Sequence, residues 1–173
     1  MNGGLPGAAE TAPPRAGVAA VRVRFGRADD APAMAALLKR AFAAYPVPIV
    51  PPSSALRETA APLAEPLARG QVGIAEFGRD IAGCIVWAPN GDGIYLGRLA
   101  VDPACRWRGI GRGLLRFAEQ VAREAGARRL TLETRIALPD NHRLFAACGF
   151  REVSRHAHPG FAAPTFIRME KTL

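Results

Sequence analysis

The sequence predicts an α+β fold (mixed α/β) around one sheet, and three observations carry that prediction. Short segments of alternating apolar and polar residues recur along the whole chain, as half-buried strands require. Longer segments with apolar residues three and four apart lie between them, as amphipathic helices require. A glycine-rich, arginine-rich stretch at 106–115 joins one such strand to one such helix.

The elements follow in order. Val21, Val23 and Phe25 alternate with Arg22 and Arg24 to give a first strand. Asp29, Asp30 and Pro32 open a helix carrying Met34, Leu37, Leu38, Ala41 and Phe42 on one side. Residues 45–52 hold four prolines and read as an irregular loop. A short, poor helix over 56–68 is interrupted by Pro62 and Pro66. Strands over 72–77 and 81–87 flank a turn at Gly78-Arg79-Asp80, which predicts a hairpin. A strand over 94–101 closes at Asp102-Pro103, and an amphipathic helix runs from Leu114 to Ala125 and stops at Gly126. A strand over 130–134, a helix from Asp140 to Gly149, and strands over 150–154 and 165–169 complete the order β-α-α-β-β-β-α-β-α-β-β.

The bulk composition narrows the function classes. A chain of 173 residues, 49% hydrophobic, can bury a core of its own. No run of about twenty apolar residues is present, so no membrane span or membrane partner is expected. Residues 1–20, rich in Ala, Gly and Pro, read as a disordered tail, leaving one domain over 21–173. The net charge of +8 is almost wholly arginine and suits an anionic ligand. Nucleic acid is not expected as a partner, because no basic stripe with interleaved aromatics is found. Cys84, Cys105 and Cys148 are odd in number and lack C-x-x-C spacing, which suggests free thiols in a reducing cytoplasm and no metal site.

The stretch Arg106-Trp107-Arg108-Gly109-Ile110-Gly111-Arg112-Gly113 has the makings of a phosphate cradle. Its alternating glycines remove Cβ atoms that would hold an anion off the backbone. The unpaired first amides and the dipole of the following helix favour negative charge. At roughly 1.5–3 kcal/mol for each hydrogen bond to a charged group, three or four amides supply about 5–10 kcal/mol, comparable to the ~8 kcal/mol of a micromolar ligand. A Walker loop is excluded, since the only lysines are Lys39 and Lys171. A dinucleotide fingerprint needs glycine where Leu114 stands, although Glu133 is spaced as that fold would want. The G-x-G-x-G of a methyltransferase is separated from its strand by Pro103.

This stretch resembles instead the acyl-CoA loop of the GCN5-related N-acetyltransferases (the GNAT superfamily), written Gln/Arg-x-x-Gly-x-Gly/Ala. Arg106, Gly109 and Gly111 fill the pattern, with Val101 at the aliphatic strand end five residues earlier. A second block, Pro139-Asp140-Asn141-His142-Arg143-Leu144-Phe145-Ala146-Ala147-Cys148-Gly149-Phe150, is similar to the family's P-x-N-x-x-x-Tyr-x-x-x-Gly-Phe helix. The resemblance covers about 21–173. It implies the GNAT acyl-CoA N-acyltransferase fold: a central, mostly antiparallel twisted sheet, helices on both faces, and a splayed pair of strands ending near Val101 and Thr134. It also implies direct transfer of acetyl from acetyl-CoA, without metal, to a small amine or amino-acid-like molecule. Homodimers are common in that family, though no residue here marks an interface.

The resemblance assigns cofactor contacts to Leu99, Ala100 and Val101 through their backbone, to the loop residues Arg106, Trp107, Arg108, Gly109, Ile110, Gly111, Arg112 and Gly113, and to Asn141 and Phe145 on the later helix. The chain departs from the family at Phe145, where a tyrosine usually protonates the departing thiolate. Glu133, at the end of the strand bordering the expected cleft, is the candidate general base, and Tyr95 the candidate acid. His142, His156 and His158 are candidates only because histidine is the residue type suited to proton transfer near neutrality, but the last two flank a Pro-Gly turn and read as loop residues. The alternative is a non-catalytic acyl-CoA-binding module, motivated by Phe145.

Overall fold

The computed structural model describes residues 21–173; the tail expected over 1–20 lies outside them. Its strands are β1 (Val21–Phe25), β2 (Val72–Phe77), β3 (Asp80–Asn90), β4 (Gly93–Val101), β5 (Arg129–Arg135), β6 (Arg151–His156) and β7 (Phe166–Thr172). They form one sheet in the order β1-β2-β3-β4-β5-β7-β6. Each neighbouring pair is antiparallel except β4 and β5. A parallel pair needs a crossover, and a helix supplies it here.

The helices are α1 (Ala31–Ala43), α2 (Ala60–Ala68), α3 (Ile110–Glu124) and α4 (Pro139–Ala147). Alternation along the strands divides their side chains between two cores. Met34, Leu37 and Leu38 of α1 and Leu63 and Leu67 of α2 pack on Val72, Ile74 and Cys84 on one face. Ile110, Leu114, Leu115 and Ala118 of α3, with Phe145 and Phe150, pack on Ile85, Leu96, Leu130 and Leu132 on the other. Each fully buried side chain of this kind stabilises the fold by about 1.5–3 kcal/mol. None of the helices among the described residues is long and apolar enough to cross a membrane.

Three elements differ from the pattern-based expectation. A 3₁₀ turn (Ser54–Arg57) precedes α2, which is regular through Ala68 despite its prolines. Pro62 falls in the first helical turn, where an amide has no intrahelical partner, and Pro66 removes a single bond that burial of Leu63 and Leu67 offsets. Helix α3 begins at Ile110, four residues before the expected Leu114, so Gly111, Arg112 and Gly113 form its first turn. Ile110 and Leu114 are buried against β3 at Gly83, where a Cβ would stand 2.8 Å from Ile110 Cγ2 and 3.0 Å from Leu114 Cδ1. That close approach overrides the low helix propensity of glycine. Strand β7 extends to Thr172 because β5 pairs with it along the full length, from Arg129↔Thr172 to Arg135↔Phe166.

Candidate active site

The site is a seam. Strands β4 and β5 pair only at Ile94↔Leu130, Tyr95↔Thr131 and Leu96↔Leu132. Beyond Leu96 and Leu132 the strands part, so the edge of 97–101 facing β5 has no strand partner. The parting has a local cause in β4. Its pairing with β3 slips between Cys84↔Ala100 and Val86↔Gly97, a bulge at which Arg98 takes φ 50°. The left-handed arginine is held by Glu58 Oε2 at 2.7 Å and Ser54 Oγ at 3.0 Å. A cleft of about 490 Å³ fills the gap, lined by the diverging strand ends, by Leu138, Asn141 and Phe145 around α4, and by Tyr45.

At one end of the seam stands the arginine loop. Asp102 accepts from the Ala104 amide at 3.0 Å and from Arg40 at 2.8 Å, which fixes the turn after β4. Trp107 is exposed with φ 66°, and Gly109 takes φ 76° immediately before α3. No side chain caps α3. The amides of its first turn therefore remain available to an anion. A Cβ on Gly111 would stand between Leu144 Cδ2 (3.4 Å) and Val101 Cγ2 (3.7 Å), in the mouth of the seam, whereas one on Gly113 would face Val23 on β1. The arginines divide as well. Arg106 donates to the Ala41 and Ala44 carbonyls at the end of α1, at 3.0 and 3.4 Å, and Arg108 stacks over Phe77. Arg112 faces a second cavity of about 280 Å³ between α3 and α4, together with Arg116 and Lys171. Of the loop arginines, Arg106 thus positions the loop against α1.

The middle of the seam is apolar. Phe145 is buried with its ring 6.1 Å from that of Phe150, and offers no proton. The Thr134 hydroxyl lines the same cleft, buried and without a protein partner. Buried polar atoms are nearly always satisfied, so an orphan in a cleft fits a polar ligand atom. Asn141 lies on the same helix beside the Tyr45 phenol. Burial raises the Tyr45 pKa, while Asn141 and Arg106 draw it the other way.

Tyr95 and Glu133 share the opposite face of the strands. Leu96, Leu130 and Leu132 point to the α3 core, so alternation turns Tyr95 and Glu133 toward the α1 side. Burial, reinforced by the Glu133 carboxylate, pushes the Tyr95 phenol above its ordinary value. It is therefore a protonated donor near neutrality. Glu133 accepts from Arg168 at 2.8 Å across the β5–β7 pair. The structure brings these candidate residues together with others that motif reasoning did not select: Tyr45, Arg98, Thr134 and Arg135. Arg135 was accessible by alternation, two residues beyond Glu133 on the same face. Tyr45, in a proline-rich loop, carries no sequence signal. His158 also joins the cleft, while His156 stacks on Phe166 and His142 donates to the Arg135 carbonyl at 2.8 Å. Among the described residues no group of three or more His, Cys, Asp or Glu side chains is arranged to hold a metal ion.

Comparison with known proteins agrees with this fold. Among curated proteins no sequence match is found. Solved structures match over nearly the whole described chain. The PaiA N-acetyltransferase of Thermoplasma acidophilum, solved with coenzyme A, is 18% identical, with 89% of this chain and 99% of that one covered at a TM-score of 0.74. A ribosomal-protein-alanine N-acetyltransferase of Brucella melitensis is 21% identical over 88% and 99%, with a TM-score of 0.70. An IAA acetyltransferase of Bacillus cereus is 22% identical over 89% and 100%, with a TM-score of 0.65. At such identities the likeness is one of fold. The model of the acetyltransferase (GNAT) family matches residues 33–150, which span the loop, the seam and the helix bearing Asn141 and Phe145, and the chain belongs to that family.

Proposed function

We propose that the protein is an acetyl-CoA-dependent N-acetyltransferase that passes acetyl directly to the amine of a small, amino-acid-like acceptor. One observation carries this reading: a seam between parallel strands has an uncapped helix N-terminus at one end and a Tyr95–Glu133 pair on its other face. The residues present fit the cosubstrate, as the open first turn of α3, the bare Gly111 and the orphaned Thr134 hydroxyl attest. Acetyl-CoA would supply the activated acetyl thioester. The amides of 110–112 would hold its diphosphate, with Arg112 in the same first turn, and the unpaired edge of Leu99, Ala100 and Val101, with Asn141 and Phe145, would line the arm.

The chain's own groups then manage the protons. An ammonium must lose a proton before its lone pair can attack, and we assign its acceptance, directly or through one water, to Glu133, which lines the cleft. Main-chain amides along 97–101 are available where oxyanion charge develops, which needs no particular side chain. Phe145 puts no hydroxyl at its position on α4; the phenols of Tyr95 and Tyr45 both line the cleft, and Tyr95 is the donor assigned to the thiolate. The free thiols of Cys84, Cys105 and Cys148 support a reducing compartment such as the cytoplasm.

A calorimetric titration with acetyl-CoA, followed by coenzyme A release across an amine panel, tests the proposal. Micromolar binding with amine-dependent release is expected. Phe145 motivates the second reading, a cofactor-sensing module, and tight binding with no turnover on any amine would establish that instead.

A further inference from the structure

We propose that Arg135 is an anion-binding residue that selects acceptors carrying a carboxylate beside their amine. The inference rests on the acetyl-transfer reading above and names the substrate class of that site. Arg135 ends β5 on the same face as Glu133 and lines the cleft. The other arginines around this face are matched: Arg98 with Glu58 at 2.7 Å, and Arg168 with Glu133 at 2.8 Å. Arg135 has no carboxylate partner among the described residues, and it is partly buried. Burial lowers its pKa with no acidic neighbour to offset it. Its charge nevertheless persists. A desolvated, uncompensated guanidinium is unfavourable, and a ligand anion removes that penalty.

The residue is held rather than loose. Its backbone carbonyl accepts from His142 Nε2, and its Nη1 donates to His158 Nδ1 at 3.2 Å. His158 is fixed in turn by Thr165, whose hydroxyl meets both the His158 amide and its Nδ1. Desolvation and Arg135 lower the His158 pKa, with the Glu133 carboxylate opposing; because a guanidinium only donates, Nδ1 accepts and the ring proton sits on Nε2. One guanidinium N–H is thereby used, and the others have no protein acceptor among the described residues. That fork matches a carboxylate. Two residues along a strand span roughly 7 Å, so Glu133 and Arg135, which both line the cleft, are spaced to bracket a molecule the size of an amino acid.

Matched pairs of amino acids and their carboxamides, assayed with the full chain by coenzyme A release, test this. Wild type is expected to favour the acids by about 10–100-fold in kcat/KM, the scale of one charge-assisted interaction. R135Q should collapse that preference mainly through KM, and R135K should retain part of it; the melting transition of each variant checks folding. Equal use of acid and amide by wild type would overturn the proposal, as would a preference unchanged in R135Q or a stronger preference for peptide amines. Should no amine turn over, the acetyl-transfer reading fails separately. Calorimetry of an amino acid into coenzyme-A-saturated protein then decides the anion site, with Arg135-dependent binding supporting it and Arg135-independent or absent binding overturning it.

Discussion

Glu133 and Tyr95 form a polar pair on a face otherwise edged by arginines. Glu133 contacts Arg168, and both side chains are substantially exposed, so the ion pair adds at most about 1 kcal/mol to stability. Glu133→Gln should therefore barely move the melting temperature while lowering kcat/KM by about 10²–10⁴-fold, the usual worth of a positioned base. Steady-state kinetics beside a thermal melt separate the two effects. Phe145→Tyr restores a donor on the wall of the seam, and turnover near neutral pH should rise if protonation of the thiolate limits the rate. Unchanged turnover would mean that another donor already serves or that thiolate release does not limit the rate, and a paired Tyr95→Phe variant tells whether that donor is Tyr95. Glu133 was legible as the last acidic residue of an alternating strand. The role of Tyr95 was less so, since alternation gives its face but not its neighbour across a parallel pair.

Helix α3 sets the cofactor end of the site through two glycines with different duties. Gly83 on β3 lets Ile110 and Leu114 seat against the sheet, so Gly83→Val should lift the first turn of α3 and weaken folding and coenzyme A binding together. Gly111 faces the mouth of the seam, so Gly111→Val should leave the melt near that of wild type while abolishing calorimetric binding of coenzyme A. Leu114→Ala removes a fully buried side chain from the same helix and should cost about 2–5 kcal/mol in urea unfolding. The elements themselves were legible because period 2 and period 3.6 differ sharply in this chain. The four-residue extension of α3 was not, because its cause is a contact with β3. Likewise the bulge at Arg98 depends on pairing across strands and on Glu58, some 40 positions away.

At the scale of the molecule, the sheet carries two cores, and the seam opens where its parallel pair gives out. Motifs disclosed the cofactor end, since backbone amides and glycines leave a fixed spacing in the sequence. Apart from Arg135, which alternation along β5 discloses, the acceptor end remained hidden because Arg98, His158 and Tyr45 come from separate elements and meet the cleft only through topology. Acid stability follows from a cluster in which Arg24 joins Asp30, six residues on, to Glu76 on β2. Arg24 hydrogen-bonds Asp30 and holds its carboxyl below the ordinary value, burial opposing in part. The unfolded chain thus binds that proton more readily, so the stabilisation is complete above about pH 4 and is lost as the pH falls through the folded-state value. Asp30→Asn should cost about 1–3 kcal/mol at neutral pH and flatten the acid limb of the urea-midpoint profile. The central claim is direct transfer within the seam. Its most direct test follows coenzyme A release with an amino acid present while mass spectrometry tracks the acetyl group. One acetylated amine per coenzyme A, with no acetyl on the protein, is the predicted result; release indifferent to the amine, or acetyl retained on a protein side chain, would contradict it.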